Sequence, residues 1–206
     1  MTTTSTPDAQ SLAREQHSAP HVPPDGPTPS QTIGPYFRIG MDGFEPTDLV
    51  APGTPGAITI SGRVIDGAGS PVSDASLEIW QADTDGAFPA APTDDGPDSW
   101  TGERWHGWGR SMTDDDGAFT FTTVKPGPVG DGQAPHIDIT VFCRGVLQRL
   151  VTRLYFPDEG AANGTDPVLA AAGDRAATLV AEAEGPGRLH HDIVLQGERE
   201  TVFFVW

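Results

Sequence analysis

The 206-residue chain carries 12 Lys plus Arg against 29 Asp plus Glu, a formal net charge of −17, so nucleic-acid phosphate and anionic membrane surfaces would repel it. It has one cysteine, which excludes an intrachain disulfide, and no run of about 18 apolar residues to form a membrane-spanning helix. The single Cys143 and an N-terminus without a signal-peptide apolar core are the features expected of a cytoplasmic chain.

Residues 1–28 are rich in Thr, Ser, Pro, Asp and Gln and offer little to bury, so they read as a flexible tail ahead of one domain over 29–206. From Thr28 the segment TPSQTIGPYFRIG brings aromatic rings on a Gly/Pro-kinked stretch. Short apolar runs between Gly, Asp and Pro clusters then predict strands at 58–65, 75–80, 117–123, 136–142, 147–156, 189–196 and 201–206. Alternation supports this reading: Ile137, Ile139 and Val141 share one face, while His136, Asp138 and Thr140 share the other. The turns DGAGSP (66–71) and TDDDGAF (113–119) place Asp and Gly where positive φ is wanted. The long, acidic, Trp-bearing stretch 84–110 reads as an excursion from the core. In PVLAAAGDRAATLVAEAEG (167–185) apolar residues recur every three to four positions, which predicts one or two short helices. The fold class is therefore all-β, an antiparallel β-sandwich with long loops and one or two short helices.

Three ordered segments carry a family resemblance: SGRVIDGAGSPVSDASLEIWQADTDGAF (61–88), GWGRSMTDDDGAFTFTTVKPGPV (107–129) and APHIDITVFCRGVLQRLVTRLYFPDE (134–159). Together they resemble the core of the intradiol ring-cleavage dioxygenases, β-sandwiches that hold a non-haem ferric ion. The entry segment TPSQTIGPYF and the closing QGERETVFF are similar to the protocatechuate 3,4-dioxygenase branch of that family. The likeness covers roughly residues 28 to 206. Taken alone, the first half also resembles small carboxypeptidase-regulatory or transthyretin-like sandwich modules, which bind or scaffold without an enzymatic partner. The IWQAD, PHID and TRLYF elements favour the dioxygenase.

Family enzymes hold iron with two tyrosinates and a His-x-His pair, whose members project from one face of a strand. The matching positions here read Phe88, Val129, His136 and Asp138, and an arginine that catalytic chains carry three residues before the first histidine is Gln133. The chain's two tyrosines, Tyr36 and Tyr155, fall elsewhere. Those substitutions also argue against a self-sufficient catechol 1,2-dioxygenase. The resemblance thus implies no catalytic residue and no metal on this chain. Phe88, Val129, Gln133, His136 and Asp138 would form a vestigial pocket with a buried His136–Asp138 hydrogen bond.

The resemblance is closer to the family's iron-free α-type subunit, whose Fe(III) lies on a β-type partner within αβ units of a larger oligomer. It implies O₂ and a small aromatic acid as substrates, with protocatechuate opened to 3-carboxy-cis,cis-muconate by the complex and an inactive isolated chain. The matching substrate-binding positions are Thr32, Gly34, Pro35, Tyr36 and Arg144. A Gly-Pro turn lets backbone approach a planar ring, and Arg144 is a local cation with donors that suit a benzoate carboxylate.

Overall fold

The computed structural model describes residues 29–41, 43–89, 105–130 and 132–205, so the expected tail over 1–28 lies outside the described residues. Among these described residues nine strands form: β1 (Ala57–Ile65), β2 (Ser76–Trp80), β3 (Trp108–Met112), β4 (Ala118–Val124), β5 (His136–Phe142), β6 (Leu150–Tyr155), β7 (Glu182–Gly185), β8 (Arg188–His190) and β9 (Ile193–Val194). Among the described residues three short helices join them, α1 (Pro35–Met41), α2 (Gly160–Asn163) and α3 (Pro167–Ala171), with a 3₁₀ helix at Gly173–Leu179.

One sheet has the order β4–β1–β8–β7 with β9 also on β1, and the other has the order β3–β2–β5–β6. The sandwich is mostly antiparallel, but β8 and β9 run parallel to β1, which the strand pattern did not foretell. The alternating residues meet between the sheets, with Ile60, Phe119 and Phe121 from one against Leu77, Ile79, Ile137, Ile139, Val141 and Leu154 from the other. Each fully buried aliphatic or aromatic side chain here contributes about 1.5–3 kcal/mol relative to exposure.

Several expectations need correction. Of the expected 84–110 excursion, residues 90–104 lie outside the described residues, and its end opens β3, whose WGRSM sequence lacks β-branched residues and is made a strand by its pairing with β2. Residues 182–185 pair with β8 as a strand instead of ending a helix. Within 201–205 only Phe204 bridges, to Val151. The segment 189–196 breaks into β8 and β9 because the Asp192 carboxylate takes the N–H of Arg63 at 2.9 Å in place of a ladder partner. Beside that break a Cβ on Gly62 would lie 2.0 Å from the carbonyl oxygen of His191, so only glycine fits there.

Three described turns, at 66–70, 83–87 and 114–118, share one mechanism. Asp66, Asp83 and Asp114 each accept with Oδ1 from the N–H groups two and four residues ahead, at 2.8–3.0 Å. A second, smaller core of Ala134, Tyr155, Leu169, Leu179 and Val202 covers the outer face of β6. Asp166 caps α3 by accepting from Val168 and Leu169 N–H at 2.8 and 2.7 Å, with Pro167 opening the helix. This cover is why the outward-pointing Arg153 and Tyr155 of β6 are buried as fully as its inward residues.

Candidate functional site

Two groups of residues carry the chemistry expected from the sequence. The first lies on the outer face of β5 and β6, where the register sets His136 opposite Tyr155 and Asp138 opposite Arg153. Arg153 is the hub. Its Nε donates to Asp138 Oδ1 at 2.8 Å, and its Nη1 donates to Gln133 Oε1 at 2.8 Å and, more weakly, to the Tyr155 hydroxyl at 3.4 Å. The Tyr155 hydroxyl donates to Asp166 Oδ1 at 3.2 Å, and Asp166 Oδ2 takes the N–H of Ala134 at 2.8 Å. A closed network of side chains thus ties two strands, the 133–136 loop and the start of α3.

The expected His136–Asp138 hydrogen bond is absent: His136 Nε2 stands 4.0 Å from Asp138 Oδ1. Asp138 is turned to Arg153 instead, because a guanidinium is a stronger partner than a neutral ring. His136 donates from Nδ1 to the Ala134 carbonyl at 2.8 Å, and burial, helped by the nearby Arg153 cation, holds its pKa below the ordinary value.

The remaining positions assemble around this cluster. Val129 bridges Gln133 through the backbone. Phe88 stacks on Trp80 with ring centroids 6.1 Å apart, and Trp80 is the register partner of Asp138 on the side away from Arg153. Glycines bring the 83–88 and 126–129 loops together, since a Cβ on Gly86 would meet Pro128 O at 2.2 Å and one on Gly127 would meet Gly86 N at 2.6 Å.

This donor set does not fit a ferric ion. Phe88 and Val129 supply no donor, and Asp138 and Gln133 already serve a guanidinium that stays charged at any accessible pH. A further cation there would be repelled. Tyr155 is no tyrosinate either, since burial pushes its pKa up to about 12. Among the described residues, no group of three or more His, Cys, Asp or Glu side chains is arranged to hold a metal ion.

The second group lies at the other end of β5. The Thr32 hydroxyl accepts from Gly145 N–H at 2.9 Å and reaches the Cys143 carbonyl at 3.3 Å, bracketing Arg144. Arg144 pairs with Asp74 through Nε and Oδ2. Gly34, Pro35, Arg38, Asp74 and Arg144 line a cavity of about 350 Å³, and Asp74 and Arg144 also line a neighbouring one of about 730 Å³. Thr32, Gly34, Pro35 and Arg144 are therefore brought to one surface. Tyr36 is 84 % exposed on α1, none of whose residues is buried. That helix is tied down by Arg38, whose Nη1 donates to the carbonyls of Ser73 and, at 2.7 Å, Thr113.

Sequence reasoning missed Arg153, Asp166 and Asp74. Asp166 was signalled by the Asp-Pro step before an Ala-rich run, a helix-start pattern. Arg153 had only its i, i+2 relation to Tyr155, and no local signal placed it opposite Asp138.

The family described as Dioxygenase matches residues 43–197, and the chain belongs to this family of intradiol ring-cleavage enzymes, which are iron-dependent in general. Within it, the protocatechuate 3,4-dioxygenase alpha chain of Burkholderia cepacia is 44 % identical over 193 residues, which is 86 % of this chain and 96 % of that one. The beta chain from the same organism is 36 % identical over 119 residues, 55 % of this chain and 47 % of its own length. A solved dioxygenase domain, from a dioxygenase and carbohydrate-binding fusion of Streptomyces sp. SirexAA-E, superposes with a TM-score of 0.51 at 32 % identity, covering 82 % of this chain and 98 % of that one.

Proposed function

We propose that this chain acts as the α-type subunit of an αβ protocatechuate 3,4-dioxygenase, with the ferric ion held by the β-type partner. The carrying observation is the Arg153 guanidinium lodged between Asp138, Gln133 and Tyr155, a cation supplied by the chain itself where the family's metal-bearing strand runs. The near full-length match to an alpha chain, against a half-length match to a beta chain, supports the same reading.

In the complex, O₂ cleaves protocatechuate between its two hydroxylated carbons to give 3-carboxy-cis,cis-muconate. This chain contributes the wall that binds and orients the ring. Gly34 and Pro35 let backbone come close to the planar substrate, Tyr36 on the exposed helix faces the partner, and Arg144 meets the carboxylate.

Co-expression with a β-type chain tests the assignment. The complex should contain iron, show the visible colour of tyrosinate-to-Fe(III) charge transfer and cleave protocatechuate, while this chain purified alone should be colourless and inactive. Ring cleavage by the isolated chain with stoichiometric iron would overturn the reading. A free-standing binding module would fail to form the complex.

A further inference from the structure

Arg144 is fixed at both ends. Thr32 clips the peptide groups on either side of it, and Asp74 engages the head through Nε alone. A guanidinium can receive a carboxylate along its Nε–Nη edge or end-on across its two Nη groups. With Asp74 on Nε, the two Nη groups remain to be presented, and the 63 % exposure of the Arg144 side chain leaves them accessible.

Asp74 is itself a rigid anchor. Its side chain is four-fifths buried. The loop that carries it is held by Arg38 on Ser73 O and by Thr113, whose hydroxyl accepts from Ala75 N–H at 2.9 Å and donates to Val72 O at 2.7 Å. An arginine left alone on a loop keeps its rotamer freedom, which binding would have to freeze out. Here the freezing is done beforehand, and the pair stands on the rim shared by the two cavities.

We infer that Asp74 is a positioning residue that orients Arg144 end-on toward a carboxylate-bearing ring, and so sets the preference for aromatic acids over uncharged catechols. The inference rests on the carboxylate role of Arg144 proposed above. It makes Asp74 an ally of the substrate anion although both are negative, because orientation outweighs repulsion across a solvent-exposed site.

The test uses the αβ complex with protocatechuate and catechol as paired substrates, and reads the ratio of their KM values. Asp74→Ala should raise the protocatechuate-to-catechol KM ratio about fivefold, with most of the change in KM and little in kcat. Asp74→Asn keeps an oxygen acceptor for Nε–H and should restore most of the preference. If both variants lower the protocatechuate KM, Asp74 competes with substrate and the inference fails. If Asp74→Ala moves both substrates equally, its role is structural and the inference also fails. Arg144→Ala separates the two levels: a ratio unchanged by that variant removes the carboxylate reading itself, whereas a changed ratio with an inert Asp74→Ala removes only the role of Asp74.

Discussion

Arg153 with Asp138 and Arg144 with Asp74 are the same two residue types in opposite settings. The first guanidinium is nearly closed off, with side-chain exposures of 9 % and 31 % across the pair, and it serves three side chains at once. The second pair has exposures of 63 % and 20 % and a single carboxylate contact. Burial turns one arginine into a lock that joins β5, β6 and the 133–136 loop. Exposure leaves the other with donors free for something that arrives from outside. Charge and residue type alone would have assigned them the same role.

The buried pair should prove the more costly to remove. Arg153→Ala leaves Asp138, Gln133 and Tyr155 without their shared donor, and should cost about 3–5 kcal/mol in urea unfolding. Arg153→Met, which restores packing without charge, should recover part of that loss. A destabilisation no larger than for a surface residue would show that the network does not hold the face together.

His191 differs from Arg153 in being a buried basic group able to shed its charge. Burial pushes its pKa from 6.5 down to about 4, so the folded ring stays neutral where the unfolded one becomes protonated. Its contribution to stability is therefore complete above pH 6.5 and is lost as pH falls toward 4. Between pH 7 and pH 5 this amounts to about 2 kcal/mol. Urea midpoints at the two pH values should show that loss, and His191→Gln should flatten it.

The smallest effect belongs to the exposed pair. Arg144→Ala should change the unfolding free energy by less than about 1 kcal/mol, as for other solvent-facing ion pairs. Its consequence should appear in substrate preference instead. A loss of stability comparable to Arg153→Ala would erase the distinction between the two arginines.

Much of the fold was legible because period-2 alternation marks a half-buried strand, and β1, β2, β4 and β5 show it. What escaped was set by tertiary context. WGRSM becomes β3 only beside β2, and EAEG becomes β7 only beside β8. PYFRIGM, read as a kinked entry, is the helix α1, where proline at the first position suits a helix start. Around the outer face of β5, the family resemblance pointed to Phe88, Val129 and Asp138 from the sequence alone. The residue that answers them could not be read there, since the pairing of Asp138 with Arg153 depends on strand register and not on local sequence. The clip of Thr32 around Arg144 links residues 111 positions apart and is invisible for the same reason.

The Arg153 network has a further consequence for biogenesis. In proteins that build a site around a bound ion, the last step of folding waits for that ion to be delivered. Here the counter-charge to Asp138 is made on the ribosome with the rest of the chain. Under the function proposed above, this chain would fold without waiting for the iron delivery that its partner requires. It would then stand ready as a finished template on which a newly loaded partner assembles.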